Sequence, residues 1–346
     1  MTKELGCLII SHQQLNGVLI NLSFVKFLGI GSSAPEKVLS NTDFEKMIDT
    51  SDEWIRSRTG IVERRIAEPE VASSDLAYEA SIKALEDASM DPEDIDGIIV
   101  GTITPDYIFP STACVLQSLL GAKNAFAFDV LAGCSGFVYA LHVAKGLIQG
   151  GSTKNLLVVG AETLSKIMNY EDRTTCILFG DGAGAAVLTT SDTPGILSSC
   201  LGANGDDWEL LYMPGGGSRI PTSEESLKND SHFLKMEGRE VFKEAVKALQ
   251  SSSLEAIKLA DITPDEIDLF IPHQANYRII EAVRKRLELP EEKVFSNLDR
   301  YGNTSSASVP IALDEAVKSG RLKRGDIVVF SAFGAGFTWG ASVTRW

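Results

Sequence analysis

The chain has 346 residues, of which 44% are hydrophobic and 23% are charged. This length and composition predict a folded protein with a large core and exclude a largely disordered chain. The net charge of −15 argues against a nucleic-acid-binding protein, which normally presents a basic surface. No apolar run approaches the length of a membrane span, so we expect no membrane segment.

Cysteines and histidines are scattered along the chain. The five cysteines are odd in number and show no CxxC spacing, which fits neither a disulfide framework nor a zinc site. We therefore expect no metal site and a reducing, cytoplasmic setting. Residues 1–23 lack the basic start and the small-residue cleavage site of a secretory signal, so we expect an N-terminal extension of unknown role.

The predicted elements repeat along the chain. The first strand and turn are expected from Phe24, and a helix is expected around residues 76–88, where apolar residues recur at three- and four-residue spacing. The segment that follows, "MDPEDIDGIIVGTITPD", resembles "ITPDEIDLFIPHQANYR", which also follows a predicted helix. The repeat predicts two related halves, 24–195 and 196–346, divided in the turn-rich "TTSDTPG".

The later elements extend the same parallel. "FAFDVLAGCSGFVYALHVAKGLIQGG" corresponds to "FSNLDRYGNTSSASVPIALDEAVKSG", "KNLLVVGAETL" to "GDIVVFSAFGAG", and "GDGAGAAVLTT" to "GAGFTWGASVTRW". Continuous apolar runs such as 156–159 and 327–330 are typical of strands buried on both faces. Each half is therefore predicted as β-α-β-α-β-α-β-β, and the two halves together as a layered α/β/α/β/α fold.

Three residues at equivalent places in the repeat could act together. Cys134 begins a predicted helix, where free N–H groups and the helix dipole favour a thiolate and lower the pKa of a thiol. Its counterpart in the second half is Asn303, and His273 ends the strand equivalent to 98–101. Two pseudo-symmetric halves bring these ends to the middle of the fold, where pockets usually form.

Each of these residues also has a structural explanation when it is taken alone. A free cysteine is commonly buried, a histidine can be satisfied by the backbone, and an asparagine is a good helix cap. Together they make a nucleophile with two neutral hydrogen-bond donors. A cysteine peptidase could use the same three residue types, but its local sequence signatures are absent. The glycine-rich "FGAGFTW" is either a tight turn or a source of backbone N–H groups for an oxyanion.

Six motifs taken together identify a family. "GCSGF", "HQAN", "YGNTSSASVPIAL", "FGDGAGA", "DEWIRSRTGI" and "FGAGFTWG" resemble β-ketoacyl-acyl-carrier-protein synthase III of the thiolase superfamily. The resemblance covers residues 24–346 and implies the thiolase-like, duplicated five-layer α/β fold. It implies an initiating decarboxylative condensation of a short acyl-CoA, with acetyl-CoA as the expected primer, and malonyl-acyl-carrier protein through an acyl-cysteine.

The resemblance also implies the catalytic roles. Cys134, His273 and Asn303 match the catalytic triad, and the asparagine marks the initiating enzymes, because the elongating relatives have a second histidine there. The backbone N–H groups of Cys134 and Ala335 match the oxyanion hole. Ala335 stands where relatives have the middle glycine of a "GGG" loop.

Further positions match residues that bind the substrates. Trp54, Arg58 and Arg173 match the contacts with the adenine of CoA. Phe109 matches a residue that closes the acyl pocket of the neighbouring subunit, which implies a homodimer. The surface for acyl-carrier protein is matched by Gln274, Ala275, Asn276, Tyr277 and Arg278.

Two other functions stay open on the sequence. A ketosynthase-like acyltransferase or a polyketide synthase of specialised metabolism can share the Cys-His-Asn set, and the motifs alone do not exclude it. A non-catalytic ketosynthase partner subunit is disfavoured, because such subunits lack the nucleophile that Cys134 supplies.

Overall fold

The structure is a computed structural model that describes residues 23–346. The expected N-terminal extension therefore lies outside the described residues, except for its last residue, Ser23.

The first half supplies a five-stranded sheet and five helices. Its elements in chain order are β1 (Phe24–Ser33), β2 (Val38–Ser40), α1 (Asn41–Met47), α2 (Asp52–Thr59), β3 (Glu63–Arg65), α3 (Ser73–Ala88), β4 (Gly97–Gly101), α4 (Thr112–Leu120), β5 (Phe126–Val130), α5 (Gly136–Gln149), β6 (Asn155–Thr163) and β7 (Asp181–Ser191). The sheet order is β1-β7-β6-β4-β5, and β2 pairs with β3 outside the sheet. β4 runs parallel to β5 and β6, while β7 runs antiparallel to β1 and β6.

The second half supplies a four-stranded sheet. Its elements in chain order are β8 (Ile196–Ala203), β9 (Leu211–Tyr212), α6 (Glu224–Lys228), β10 (Lys235–Met236), α7 (Gly238–Leu259), β11 (Leu269–Pro272), α8 (Tyr277–Arg286), α9 (Leu298–Tyr301), α10 (Ser308–Lys318), β12 (Ile327–Gly334) and β13 (Thr338–Arg345). The sheet order is β11-β12-β13-β8, and β9 pairs with β10 outside the sheet. β11 runs parallel to β12, and the other neighbours are antiparallel.

The two sheets enclose a central helical layer. Leu141 on α5, Val309 on α10 and Phe330 on β12 belong to one buried cluster that joins both sheets. A second cluster lies between the first sheet and α3 and α4, and a third lies between the second sheet and α7 and α8. The predicted α/β/α/β/α layering is confirmed. Burial between two sheets explains why α5 carries few polar residues.

The second half departs from the predicted eight-element order at one strand. The segment after α8 makes only a single parallel bridge, between Val294 and Phe270. A 3₁₀ turn over Glu291–Lys293 precedes the bridge. The backbone N–H of Asn297 then donates to the side chain of Gln274 at 3.2 Å. The segment therefore leaves the sheet edge before a ladder can form.

The halves meet closely at the ends of their strands. β7 ends at Ser191 and β8 begins at Ile196, and we propose that the halves divide in this turn, at the predicted boundary after residue 195. The last residues of β6 pack on the start of the α10 segment. A Cβ on Gly160 would lie 2.8 Å from the carbonyl carbon of Ser306, so only glycine permits this approach.

Candidate active site

Cys134 lies in a turn between β5 and α5. The 3₁₀ turn Gly133–Ser135 leads directly into the helix, and the cysteine is buried with 8% of its surface exposed. The Ser135 hydroxyl lies 2.7 Å from that of Thr338, which in turn donates to the carbonyl of Ala132 at 2.7 Å. These bonds tie the cysteine turn to β13 of the other half.

The loop after β12 packs directly on the same turn. A Cβ on Gly133 would lie 2.5 Å from the amide nitrogen of Ala335, and a Cβ on Gly334 would overlap the amide nitrogen of Cys134. The structure therefore brings the backbone of Ala335 next to that of Cys134. Because neither glycine has a side chain, the two amides can lie within reach of one small group.

His273 follows the last residue of β11. Its backbone N–H donates to the carbonyl of Ser331 at 2.7 Å, which continues the pairing with β12. The side chain is 3% exposed, and among residues 23–346 its Nδ1 has no hydrogen-bond partner. Burial lowers the pKa of His273 to about 3, because a charged imidazolium would lose its hydration. The imidazole is therefore neutral at pH 7.

Asn303 is held by three hydrogen bonds. Its backbone N–H donates to the carbonyl of Leu178 at 2.8 Å, and its carbonyl accepts from the N–H of Gly180 at 3.0 Å. Its side-chain Oδ1 accepts from the backbone N–H of Ser305 at 2.8 Å. With the oxygen engaged in this way, Nδ2 is the part of the side-chain amide that is left to act as a donor.

The three residues line one cavity of about 100 Å³. Cys134 comes from the first half, and His273 and Asn303 come from the second half, so the cavity lies between the halves. The remaining wall is mostly apolar. Its residues are Leu178, Phe179, Leu211, Met236, Gly238, Val241, Phe242, Ala245, Leu249, Ala275, Asn276, Ile279 and Phe333.

The cavity keeps the thiol protonated. Burial is the main cause that raises the pKa of Cys134 to about 12, and the nearby Glu162 acts in the same direction. The sequence-based prediction of a lowered pKa is therefore wrong, because loss of water outweighs the helix N-terminus. A neutral thiol and a neutral imidazole share the cavity at pH 7.

Trp54 and Arg173 lie together at the surface. The guanidinium carbon of Arg173 is 5.4 Å from the centre of the Trp54 ring, which is a cation–π contact. Arg173 also donates to the carbonyl of Asp49 at 2.9 Å. Arg58 lies one turn after Trp54 on α2, and its carbonyl accepts from the Asn276 side chain at 3.1 Å. Since Asn276 also lines the cavity, this bond links the Trp54 region to the cavity.

Phe109 lies outside the cavity of its own chain. It is 83% exposed, as is Ile108 beside it, and Leu131 after β5 is 79% exposed. β5 is also the edge strand of the first sheet. Large exposed apolar side chains near a free strand edge commonly mark a protein interface.

The residues matched to the carrier-protein surface do not all reach the surface. Gln274 is 1% exposed, and its side chain donates to the carbonyl of Pro272 at 2.6 Å. The expectation that Gln274 itself contacts a protein partner is wrong for this reason. Tyr277 and Arg278 are exposed at the start of α8, while Ala275 and Asn276 line the cavity.

A larger groove of about 510 Å³ lies elsewhere on the surface. Residues such as Ile280, Glu291 and Arg321 line it, and none of the predicted catalytic residues does. Within residues 23–346, no cluster of three or more His, Cys, Asp and Glu residues is arranged to hold a metal ion. None of the helices in that range is both long and apolar enough to cross a bilayer.

The sequence analysis missed two polar residues close to Cys134 and Asn303, neither of which lines the cavity itself. Ser305 adopts a positive φ of 48° and orients Asn303 through its backbone N–H. Glu162 is fully buried beside Cys134 at the end of β6. A single carboxylate in the otherwise apolar "LLVVGAET" was the signal that could have indicated Glu162. Ser305 offered no such signal, because serines are common at helix starts.

Comparison with known proteins agrees with the fold. Family models match residues 128–205 as 3-oxoacyl-[acyl-carrier-protein] synthase III and residues 257–346 as the C-terminal part of that family. The β-ketoacyl-[acyl-carrier-protein] synthase III of Caldanaerobacter subterraneus subsp. tengcongensis is 59% identical over 320 residues, covering 92% of this chain and 97% of that protein.

Two solved structures extend the comparison. The 3-oxoacyl-[acyl-carrier-protein] synthase III of Aquifex aeolicus VF5 is 47% identical with a TM-score of 0.87, covering 93% of this chain and 100% of that one. The priming β-ketosynthase of the R1128 polyketide pathway is 37% identical with a TM-score of 0.87, covering 93% of this chain and 96% of that one.

The duplicated sheets and the cysteine cavity between them define an acyltransferase with the thiolase fold. The agreement in sequence over nearly the whole chain makes the assignment more specific. The chain belongs to the β-ketoacyl-acyl-carrier-protein synthase III family of condensing enzymes.

The raised pKa of Cys134 predicts how its alkylation depends on pH. Below its pKa, the thiolate fraction grows about tenfold per pH unit, so the iodoacetamide rate at Cys134 should rise by about that factor per unit from pH 6 to pH 9. Peptide mass spectrometry measures the rate, and Cys134→Ala identifies the peptide. A rate that is already constant below pH 7 would instead indicate a stabilised thiolate.

Proposed function

We propose that this protein catalyses the initiating condensation of fatty-acid synthesis, joining a short acyl group from acyl-CoA to malonyl-acyl-carrier protein. The observation that carries the proposal is the single cavity that holds Cys134, His273 and Asn303 from the two halves of the chain. A nucleophile and two neutral donors suit an acyl transfer followed by a decarboxylation.

In the first step, the sulfur of Cys134 attacks the thioester carbon of acyl-CoA. Because burial keeps the thiol protonated, its proton leaves as the carbon–sulfur bond forms. The bond to the CoA sulfur then breaks, and the departing thiolate takes up that proton. The products are acyl-Cys134 and CoA.

The backbone amides of Cys134 and Ala335 are the proposed oxyanion hole for this step. Their adjacent placement supports two donors aimed at one oxygen. Backbone donors fixed in a dry site stabilise a tetrahedral oxyanion without reorganising. The alanine in place of a glycine leaves the N–H available, which is the only group that this role requires.

In the second step, malonyl-acyl-carrier protein enters and loses CO₂. Nδ2 of Asn303 and Nε2 of neutral His273 are proposed to donate to the thioester oxygen, where the negative charge of the enolate develops. The enolate carbon attacks the acyl-Cys134 carbonyl and the carbon–sulfur bond breaks. The released cysteine thiolate takes up a proton from solvent water, and β-ketoacyl-carrier protein leaves.

The substrate contacts are proposed from the surface around the cavity. Trp54, Arg58 and Arg173 would hold the adenine of CoA, with the purine entering where Arg173 now covers the Trp54 ring. The small volume of the cavity supports a short primer such as acetyl. Neither a metal nor an organic cofactor is needed for this chemistry.

The exposed start of α8 is the proposed contact for acyl-carrier protein. Arg278 and Tyr277 lie at the surface directly after the cavity residues Ala275 and Asn276. Carrier proteins of this type are acidic, so a local positive charge on an acidic enzyme steers them to one face. Of the basic residues further along the helix, Arg284 is already paired with Glu281 at 2.8 Å.

We further propose a homodimer that pairs the edge strand β5 with its copy. The exposed Phe109 and Ile108 support this interface, and Phe109 would then reach the pocket of the neighbouring subunit. Cys114, Cys134 and Cys176 are free thiols, which supports a reducing, cytoplasmic setting.

Priming of a polyketide pathway is the second candidate function. The likeness to the R1128 priming ketosynthase supports it, since that enzyme matches the same 93% of the chain. Both functions would use the same cavity residues, and the choice of carrier protein separates them. A non-catalytic subunit is disfavoured by the complete set of Cys134, His273 and Asn303 in the cavity.

Asn303→Ala tests the second step without adding a charge to the cavity. Alanine removes the Nδ2 donor together with the acceptor of the Ser305 N–H, and it places no carboxylate beside Cys134. We expect malonyl decarboxylation to fall by about 10²–10³-fold, while acylation of Cys134 by acyl-CoA falls less than about tenfold. Release of ¹⁴CO₂ and the intact protein mass measure the two steps. Equal losses in both steps would contradict the assigned role.

Arg278→Glu tests the carrier-protein surface. Reversing the charge should raise KM for malonyl-acyl-carrier protein by about five- to tenfold and leave KM for acyl-CoA unchanged. Lys123→Glu, an exposed charge reversal in the other half, is the matched control because it changes the net charge equally. An equal rise in KM for both variants, or none for Arg278→Glu, would reject the surface.

A further inference from the structure

Glu162 is a buried carboxyl group at the boundary between the halves. It ends the apolar run of β6 with 0% of its surface exposed. Among residues 23–346, none of the ion pairs includes it. A buried carboxylate without a cation is costly, so its hydrogen bonds decide which form the pocket holds.

One carboxyl oxygen only accepts hydrogen bonds. Oε2 accepts from the backbone N–H groups of Ile103 and Thr104, both at 3.1 Å. It also accepts from the hydroxyls of Thr104 at 2.6 Å and Thr102 at 3.2 Å. All four donors come from the segment after β4, in the same half of the chain.

The other carboxyl oxygen, Oε1, faces the second half, and the hydrogen atoms available for its hydrogen bonds can be counted. Oε1 lies 2.8 Å from the Ser306 hydroxyl, which also lies 2.7 Å from the carbonyl of Gly101. A hydroxyl has a single proton to donate, and a carbonyl can only accept. The Ser306 hydroxyl cannot donate to both oxygens at once, so both short contacts are hydrogen bonds only when Oε1 carries a proton and donates it to Ser306.

The remaining contacts of Oε1 are weaker. The backbone N–H groups of Ile103 and Ser306 lie 3.3 and 3.5 Å away, longer than ordinary hydrogen bonds. The hydroxyl of Ser305 lies beside both Glu162 and Cys134 without hydrogen-bond geometry. Cys134 is the titratable group with which Glu162 interacts electrostatically.

We propose that Glu162 is a positioning residue that carries a proton on Oε1 and, through Ser306, holds the Asn303 segment of the second half against β4 and β6 of the first. Ser306 lies in the 3₁₀ turn Ser305–Ala307, whose first N–H orients the Asn303 side chain. The functional part of this inference rests on the proposed condensation.

The neutral form also suits the neighbouring cysteine. Burial raises the pKa of Glu162 and outweighs the hydrogen bonds from Thr104, Ser306 and Ile103, which lower it. A charged carboxylate at this place would repel the sulfur as it becomes negative during acyl transfer. A protonated carboxyl does not repel that negative charge, and it still forms hydrogen bonds with residues of both halves.

Glu162→Gln is the matched variant, because an amide reproduces the neutral acid. Its NH₂ group can donate to Ser306, and its oxygen can accept from the segment after β4. We expect condensation activity within about threefold of the original protein and the same thermal midpoint. A loss above about a hundredfold in a variant of unchanged stability would overturn the proposal, because it would show that the carboxylate or its proton takes part directly.

Ser306→Ala removes the acceptor and tests positioning. We expect malonyl decarboxylation, which depends on Asn303, to fall by at least about tenfold, with a smaller effect on acylation of Cys134. Adding Glu162→Gln to Ser306→Ala should then change nothing further. Equal losses in the two steps at an unchanged thermal midpoint would overturn positioning of Asn303 by Ser306.

Infrared spectroscopy tests the proton without any catalytic assay. The spectrum of the original protein minus that of Glu162→Gln at pH 7 should contain the carbonyl band of a protonated carboxylic acid. A pair of carboxylate bands instead would overturn the assignment. The infrared result does not depend on which reaction the enzyme catalyses. Failure of the proposed condensation would be seen separately, as absence of product from the original protein with malonyl-acyl-carrier protein.

Discussion

Removal of water from the boundary between the two halves is the constraint on which the rest of this structure depends. Strand ends and helix starts from both halves converge there. They enclose Cys134, His273 and Asn303 in a cavity with a mostly apolar wall, and Glu162 is buried near Cys134. Desolvation penalises every charged form, so the thiol and the imidazole are held neutral at pH 7, and the pKa of the Glu162 carboxyl is raised. The close approach of backbones, which glycines permit, makes this exclusion of water possible.

The neutrality of the site determines what the first chemical step requires. No standing thiolate waits for substrate, so the proton of Cys134 must leave as its sulfur attacks. In return, each group that faces the substrate is a fixed, uncharged donor or acceptor, and a negative charge that develops inside is stabilised strongly because no water competes. Hydrogen bonds that cross the boundary, from Ser306 to Gly101 and from Thr338 to Ala132, keep these groups aligned.

The sequence was sufficient for the layers, the duplication and the set of cavity residues, because periodicity and repeats record burial directly. It was insufficient wherever a property depends on the exact surroundings of one side chain. The helix start before α5 indicated an acidic Cys134, yet burial reverses the sign. Gln274 looked like part of a surface motif, yet it folds inward onto backbone. The strand expected after α8 is reduced to one bridge, because the backbone N–H of Asn297 bonds to the Gln274 side chain and not to a neighbouring strand.

The most direct test of the central claim is the intact mass of the protein after incubation with acetyl-, isobutyryl- and octanoyl-CoA, without malonyl-acyl-carrier protein. The account predicts one covalent acyl group per chain, preferentially acetyl, which maps to Cys134 and is absent from Cys134→Ala. An acyl group on a different residue would contradict the account. So would the absence of any acyl group from a protein that still forms β-ketoacyl-carrier protein when malonyl-acyl-carrier protein is added.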